Sequence, residues 1–150
     1  MTGTQSGLTG GCLCGAVRYA LSKPPRQSSA CHCRMCQKAS GAAFQVYAGT
    51  LEDELVWTKG KPKIARTSAH AERLFCGDCG SPLIFRYVGD HRWGLLAPSL
   101  DEPESLSPTG HDGVESKLPW LELADGLPES RTEDDPEFQK AVAKAKNLNR

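Results

Sequence analysis

A chain of 150 residues has the usual length of one domain, enough for one compact hydrophobic core and too little for two. Its 18 lysines and arginines balance 18 aspartates and glutamates, so the basic footprint of a phosphate-backbone binder is missing and no nucleic-acid partner is expected. No apolar run approaches the roughly 20 residues that span a bilayer, so no membrane association is expected either.

The first ten residues read as a flexible N-terminus. They carry neither the basic nor the apolar region of a signal peptide, and a cytoplasmic protein is expected. The segment Ala16–Leu21 then sets Val17 and Tyr19 on one side with Arg18 between them, the alternation of a half-buried strand. Phe44/Val46/Ala48, Leu55/Trp57, Leu74 running into Cys76, and Leu83/Phe85/Tyr87 repeat the pattern, and Gly89-Asp90 marks a hairpin turn before Arg92–Leu96. Between Pro98 and Pro128 the residue types predict surface loops, pinned in part by Trp120, Leu121 and Leu123. Helical periodicity is absent until the end, where Pro136 at a first-turn position opens one short helix in the tail 129–150. The prediction is a mainly β chain of short strands with a C-terminal helix.

The chemistry lies in the cysteines. A reducing cytoplasm favours metal ligands or catalytic thiols over disulfides, and the odd number, seven, agrees. They form three clusters: Cys12-Leu13-Cys14, Cys31-His32-Cys33-Arg34-Met35-Cys36, and Cys76-Gly77-Asp78-Cys79. In an extended C-x-C both sulfurs project from one face and the central residue points away, which makes His32 a poor co-ligand. The C-x-x-C of Cys76 and Cys79 has the spacing of a zinc knuckle, with Gly77 and Gly80 free to make its tight turn. The first and last clusters together make a closed tetrahedral Cys₄ zinc site that staples distant parts of the fold; a redox C-x-x-C is the alternative.

The middle cluster, Cys31, Cys33 and Cys36, has three ligands and no fourth cysteine, the count of a catalytic zinc with one position free. An incoming thiol can fill that position and be held as its thiolate. Arg34 and Lys38 are close enough in sequence to offset the charge of three thiolates. Two alternatives stay open: closure by His70, His91 or His111 as a structural Cys₃His site, or a metal-free thiolate centre.

These residues resemble the glutathione-dependent formaldehyde-activating enzyme family, whose domain is shared with centromere protein V. The resemblance runs through Gly11–Tyr19, Cys31–Phe44 and Phe75–Leu83, with fainter echoes at Ser99–Pro103 and Glu115–Trp120. It implies a zinc-binding β-tent of small antiparallel sheets over residues 11–128. Cys12, Cys14, Cys76 and Cys79 would hold a structural zinc, and Cys31, Cys33 and Cys36 a catalytic one, two Zn²⁺ per chain. It further implies a carbon–sulfur lyase acting on the adduct of glutathione, or another small thiol, with formaldehyde or a related aldehyde, and it allows a homodimer. Glutathione brings two carboxylates and one ammonium, for which Arg34, Lys38 and Lys117 are candidate contacts and Trp120 a candidate platform. In His111-Asp112-Gly113-Val114, Asp112 and Gly113 replace the family's apolar pair and alter the expected substrate wall. The rival reading is a non-catalytic binding module with both zincs structural.

Overall fold

The computed structural model describes residues 8–148, so residues 1–7 of the segment expected to be flexible lie outside the described residues. Ten strands and two helices follow in order: β1 (Thr9–Gly11), β2 (Arg18–Leu21), β3 (Ser28–Cys31), α1 (Arg34–Ser40), β4 (Gln45–Leu51), β5 (Leu55–Lys59), β6 (Lys63–Arg66), β7 (Ala71–Phe75), β8 (Pro82–Tyr87), β9 (Arg92–Leu96), β10 (His111–Asp112) and α2 (Pro136–Leu148). The expected mainly β architecture of small antiparallel sheets with a short C-terminal helix is the one observed.

The strands form two sheets, a small one ordered β1-β2-β5 and a larger one ordered β10-β3-β4-β9-β8-β7-β6. All pairs are antiparallel except β10 with β3. The core fills the space between the sheets. Tyr19 and Leu21 enter it from β2, Leu55 from β5, Leu74 from β7, Leu83 and Ile84 from β8, and Trp93 and Leu95 from β9. Tyr19 is fully buried, and the burial of its ring is reconciled with the phenol by a 2.7 Å hydrogen bond to Ser99 Oγ. The predicted strands and the Gly89-Asp90 hairpin are present; Asp90 N–H closes that turn on Tyr87 O.

Three features differ from expectation. Thr9–Gly11 pairs with β2, so order begins inside the segment expected to be flexible. A second helix, α1, forms where no helical periodicity was read. Cys33 caps it, its sulfur accepting from Cys36 N–H at 3.3 Å, and Gly41 ends it in the left-handed region with its N–H on Gln37 O. Its seven residues bury only Cys36 and Gln37, too short and too polar a face to print a hydrophobic period.

Third, Trp120 does not pin the long loop region: it is 71% exposed, with Leu121 and Leu123 half-buried. Backbone hydrogen bonds hold that region instead. His111 N–H reaches Pro128 O, Ser130 N–H returns to His111 O, and the Ala30 and His32 N–H groups donate to Gly110 O and Asp112 O, which sets β10 beside β3.

The chain end is part of the same body. Helix α2 starts at Pro136 and buries Ala141 and Ala145, Glu137 pairs with Arg92, and Lys144 Nζ caps Gly89 O. Among the described residues no helix is long and apolar enough to cross a membrane.

One carboxylate makes the fold acid-sensitive. Buried Glu54 receives a two-pronged hydrogen bond from Arg26 at 2.6 and 2.7 Å, with Leu51 N–H on the same group, and the Arg26 guanidinium holds it down to about 2. Its contribution is therefore whole above the ordinary value of 4.5 and is lost as pH falls toward 2. The stability gap between wild type and Glu54→Gln, read from urea midpoints, should be largest near neutrality and close between pH 4.5 and 2; a gap independent of pH would contradict this.

Candidate metal centre and the cavity beside it

The seven cysteines are all free and assemble into two groups. Cys12 and Cys14, in the turn after β1, meet Cys76 and Cys79, in the turn between β7 and β8, with all four sulfurs within 4.8 Å of one another. The Cys12–Cys14 and Cys14–Cys76 sulfurs are 3.6 and 3.8 Å apart. A tetrahedral shell with metal–sulfur bonds of about 2.3 Å has edges of about 3.8 Å, so the donor set fits a thiolate-loving divalent ion. Val17 N–H points at Cys12 Sγ and Asp78 N–H at Cys76 Sγ, the amide support such turns provide. Gly80 makes its turn at positive φ, as does Gly15 after the first pair, whereas Gly77 does not. Ser81 contacts Cys79 Sγ at 3.1 Å, and its hydrogen bonds bring that thiol down to about 5.

The second group sits at the junction of β3 and α1. Cys31 ends the strand, Cys33 is the cap and Cys36 lies one turn into the helix, and their sulfurs again lie within 4.8 Å. Three thiols so close cannot ionise alike: Cys33 and Cys36 push the Cys31 thiol far up, while Cys31 and Cys33, then Tyr47 and Arg73, draw Cys36 down. Arg73, on β7, is buried at 9% exposure and aims its guanidinium at Cys36 Sγ (3.6 Å), Tyr47 Oη (2.9 Å) and Gln45 Oε1 (2.9 Å). Tyr47 Oη itself lies 3.2 Å from Cys36 Sγ.

On the far side the polypeptide is held by histidines. Asp125 can only accept, so His111 Nε2 donates to it at 2.8 Å, and His111 Nδ1 then accepts from His32 Nε2 at 2.8 Å. His32 is fully buried, and burial holds it neutral by lowering its proton affinity. This chain ties the Cys31–Cys33 turn to β10. Gln37 Nε2 reinforces it by bridging His32 O and Ser116 O. Gly113 completes the contact with φ +63°; a Cβ there would lie 2.9 Å from Cys33 N.

The three-cysteine group opens onto a cavity of about 200 Å³. Cys31, Cys33 and Cys36 form its floor with Met35; Tyr47, Arg73, Phe85 and Tyr87 rise from the large sheet; His70 and Phe138 close one side, and Asp112, Gly113, Arg131 and Asp135 stand around the rest. Arg73, Phe85 and Gly94 are direct cross-strand neighbours, which is why one sheet face presents them together. Among the described residues no histidine or carboxylate joins the three sulfurs as a fourth donor. His111 is committed to His32 and Asp125, His91 is exposed beside Asp90, and His70 lines the cavity outside the group.

Residues 7–116 match the family model described as glutathione-dependent formaldehyde-activating enzyme. The chain belongs to that family. Its relatives include a Halomonas elongata protein provisionally named as such an enzyme, 31% identical over 85% of this chain and 84% of its own. An uncharacterized lyase of Schizosaccharomyces pombe is 32% identical over 53% of this chain and 57% of its own. The fold is similar to that of a Rhodobacter sphaeroides protein of known crystal structure, with a TM-score of 0.52 at 18% identity, covering 81% of this chain and 98% of the other.

Within this family member the cysteines singled out in the sequence come together, and the basic and aromatic candidates do not join them. Arg34 turns to Gln37, Lys38 lies in the last turn of α1, Lys117 pairs with Glu129 at 3.2 Å, and Trp120 faces solvent; none lines the cavity. Sequence reasoning missed Arg73, Tyr47, Gln45 and the His32–His111–Asp125 chain. For Arg73 a signal existed: in Ala71-Glu72-Arg73-Leu74-Phe75 it shares the strand face of Ala71, so an arginine stood at an inward position.

Arg73→Met keeps the bulk and removes the charge beside Cys36. Competition against a chromophoric chelator should show one of two bound metal equivalents weakened roughly 10- to 100-fold, as for other outer partners of metal ligands, with the second unchanged. Equal weakening of both would assign Arg73 a general folding role.

Proposed function

We propose that the chain is a zinc-dependent enzyme of the carbon–sulfur lyase type, acting on the adduct of a small thiol, glutathione first among them, with an aldehyde. One observation carries this reading: three sulfurs with no fourth donor among the described residues line a partly open, mostly apolar cavity. The four-cysteine group, with its closed donor set between two surface turns, is assigned the structural zinc. Zinc at the three-cysteine group supplies a Lewis-acidic position that favours thiolate over thiol.

The protein's own residues do the rest. Arg73 offsets the negative charge of Cys36, and Tyr47 shares that load by its contact with the same sulfur. The aromatic walls exclude water, so a bound thiolate is poorly solvated and reactive. In the forward direction the thiol gives up its proton, its sulfur bonds to the carbonyl carbon, and the C=O π pair moves to oxygen, which takes a proton; the reverse breaks the C–S bond and returns the pair to sulfur. His70 is assigned the carriage of that proton at Nε2. This nitrogen is buried without a hydrogen-bond partner in the same cavity, and burial keeps the ring neutral and able to accept.

Cobalt exchanged into the protein reports thiolate binding by its charge-transfer absorption. Glutathione at millimolar concentration should change that spectrum in wild type and in Cys76→Ser wherever the latter stays folded, but not in Cys33→Ser. A spectrum indifferent to glutathione in wild type would favour a binding module with two structural zincs.

A further inference from the structure

Resting on that reading, we infer that the carbonyl partner at this site carries an aromatic body, and that the enclosed part of the cavity is the seat for it. The wall is a continuous row of five rings. Tyr47 and Phe85 have centroids 5.8 Å apart, Phe85 and Tyr87 5.0 Å, Tyr87 and His70 6.2 Å, and His70 and Phe138 5.3 Å. Phe85–Tyr87 and His70–Phe138 meet edge-on and the other two contacts are tilted, so no pair is stacked face to face and a further ring can pack against the row. Met35 lines the same cavity beside the cysteines, a thioether suited to the edge of an arene.

A formaldehyde adduct adds only a CH₂OH group and would leave these faces against water. Nor does the peptide of glutathione fit the chamber. About 200 Å³ is below the roughly 300–1,000 Å³ of sites that enclose drug-sized molecules, and suits a single ring with its reacting carbon. Each glutathione carboxylate would also need an unengaged cation inside. Arg73 is committed to Cys36, Tyr47 and Gln45 and stacks on Phe85 at 5.0 Å, and Arg131 is exposed at the rim, paired with Glu133. An unpaired carboxylate among these rings is strongly disfavoured. The thiol's charged ends therefore remain at the rim beside Arg131 and Asp135, its sulfur reaches the cysteines, and the aryl group of the adduct lies against Phe85, Tyr87 and Phe138.

The test uses two stable thioethers on the zinc-loaded full chain, S-benzylglutathione and S-methylglutathione, by titration calorimetry. Burial of the phenyl group should make the benzyl compound bind roughly tenfold tighter or more. Phe138→Ala should remove most of that ratio, weakening the benzyl compound far more than the methyl one; Tyr87→Leu serves as a second variant should the first misfold. Equal or tighter binding of the methyl compound, with the cobalt response to glutathione intact, overturns the aryl assignment and leaves the thiol-adduct reading standing. Failure of both thioethers to bind, together with a silent cobalt spectrum, overturns both.

Discussion

Three thiols held within 4.8 Å on one turn create the constraint around which the rest of the site is arranged. Their mutual repulsion in a partly buried setting is severe, as the opposed shifts of Cys31 and Cys36 display. The fold answers with one buried guanidinium. Arg73 would by itself be penalised for leaving water, and it is retained because Gln45, Tyr47 and Cys36 take up its donors. Neither charge is tolerable at that depth without the other. Strands β4 and β7 lie three places apart in the sheet, so these contacts reach across β9 and β8.

The two cysteine groups solve different problems with the same atoms. Cys12 and Cys14 follow a strand of the small sheet and Cys76 and Cys79 follow one of the large sheet, so a shared ion would add a joint between two sheets that already meet through core packing, the Arg18–Asp101 pair and the hydrogen bond from Asp101 N–H to Thr9 O. Cys14 is exposed and the joint lies at the protein surface. The three-cysteine group joins nothing distant: all its members lie within six residues, on a turn already anchored by His32, His111 and Gln37. A donor set unnecessary to the connectivity of the fold, facing a cavity, is free for chemistry.

The metal grammar was legible in the sequence because chelation by C-x-C and C-x-x-C is local, and the strands carrying Tyr19, Leu83 or Trp93 were legible because apolar alternation is local too. What escaped is held by polar groups. Strand β3 reads Ser28-Ser29-Ala30-Cys31, β10 has two residues, and α1 buries a glutamine, so none prints a hydrophobic pattern. The charge partner was sought among sequence neighbours, Arg34 and Lys38, yet both lie on the helix that already presents Cys36. The residue that reaches the sulfur comes from a strand 37 positions away, brought there by sheet order alone. Trp120 shows the converse error: a large aromatic in a loop region invites burial, and here backbone pairing to Pro128 and Ser130 makes it unnecessary.

The boundary between shared and particular also falls inside this site. Residues 7–116 carry the family match and include every cysteine, Arg73, Tyr47 and the histidine pair. Phe138, Arg131, Thr132 and Asp135 line the same cavity from beyond that span, on α2 and the turn before it, held to the β8–β9 hairpin by Glu137 on Arg92 and Lys144 on Gly89. On the proposed function, thiol activation rests on the first set and the shape of what the thiol meets on the second, a segment that also docks through Thr132 N–H on Glu115, Phe138 on the His70 ring, and Ala141 and Ala145. On that proposed reading, the chemistry and the selectivity would be carried by separate stretches of chain.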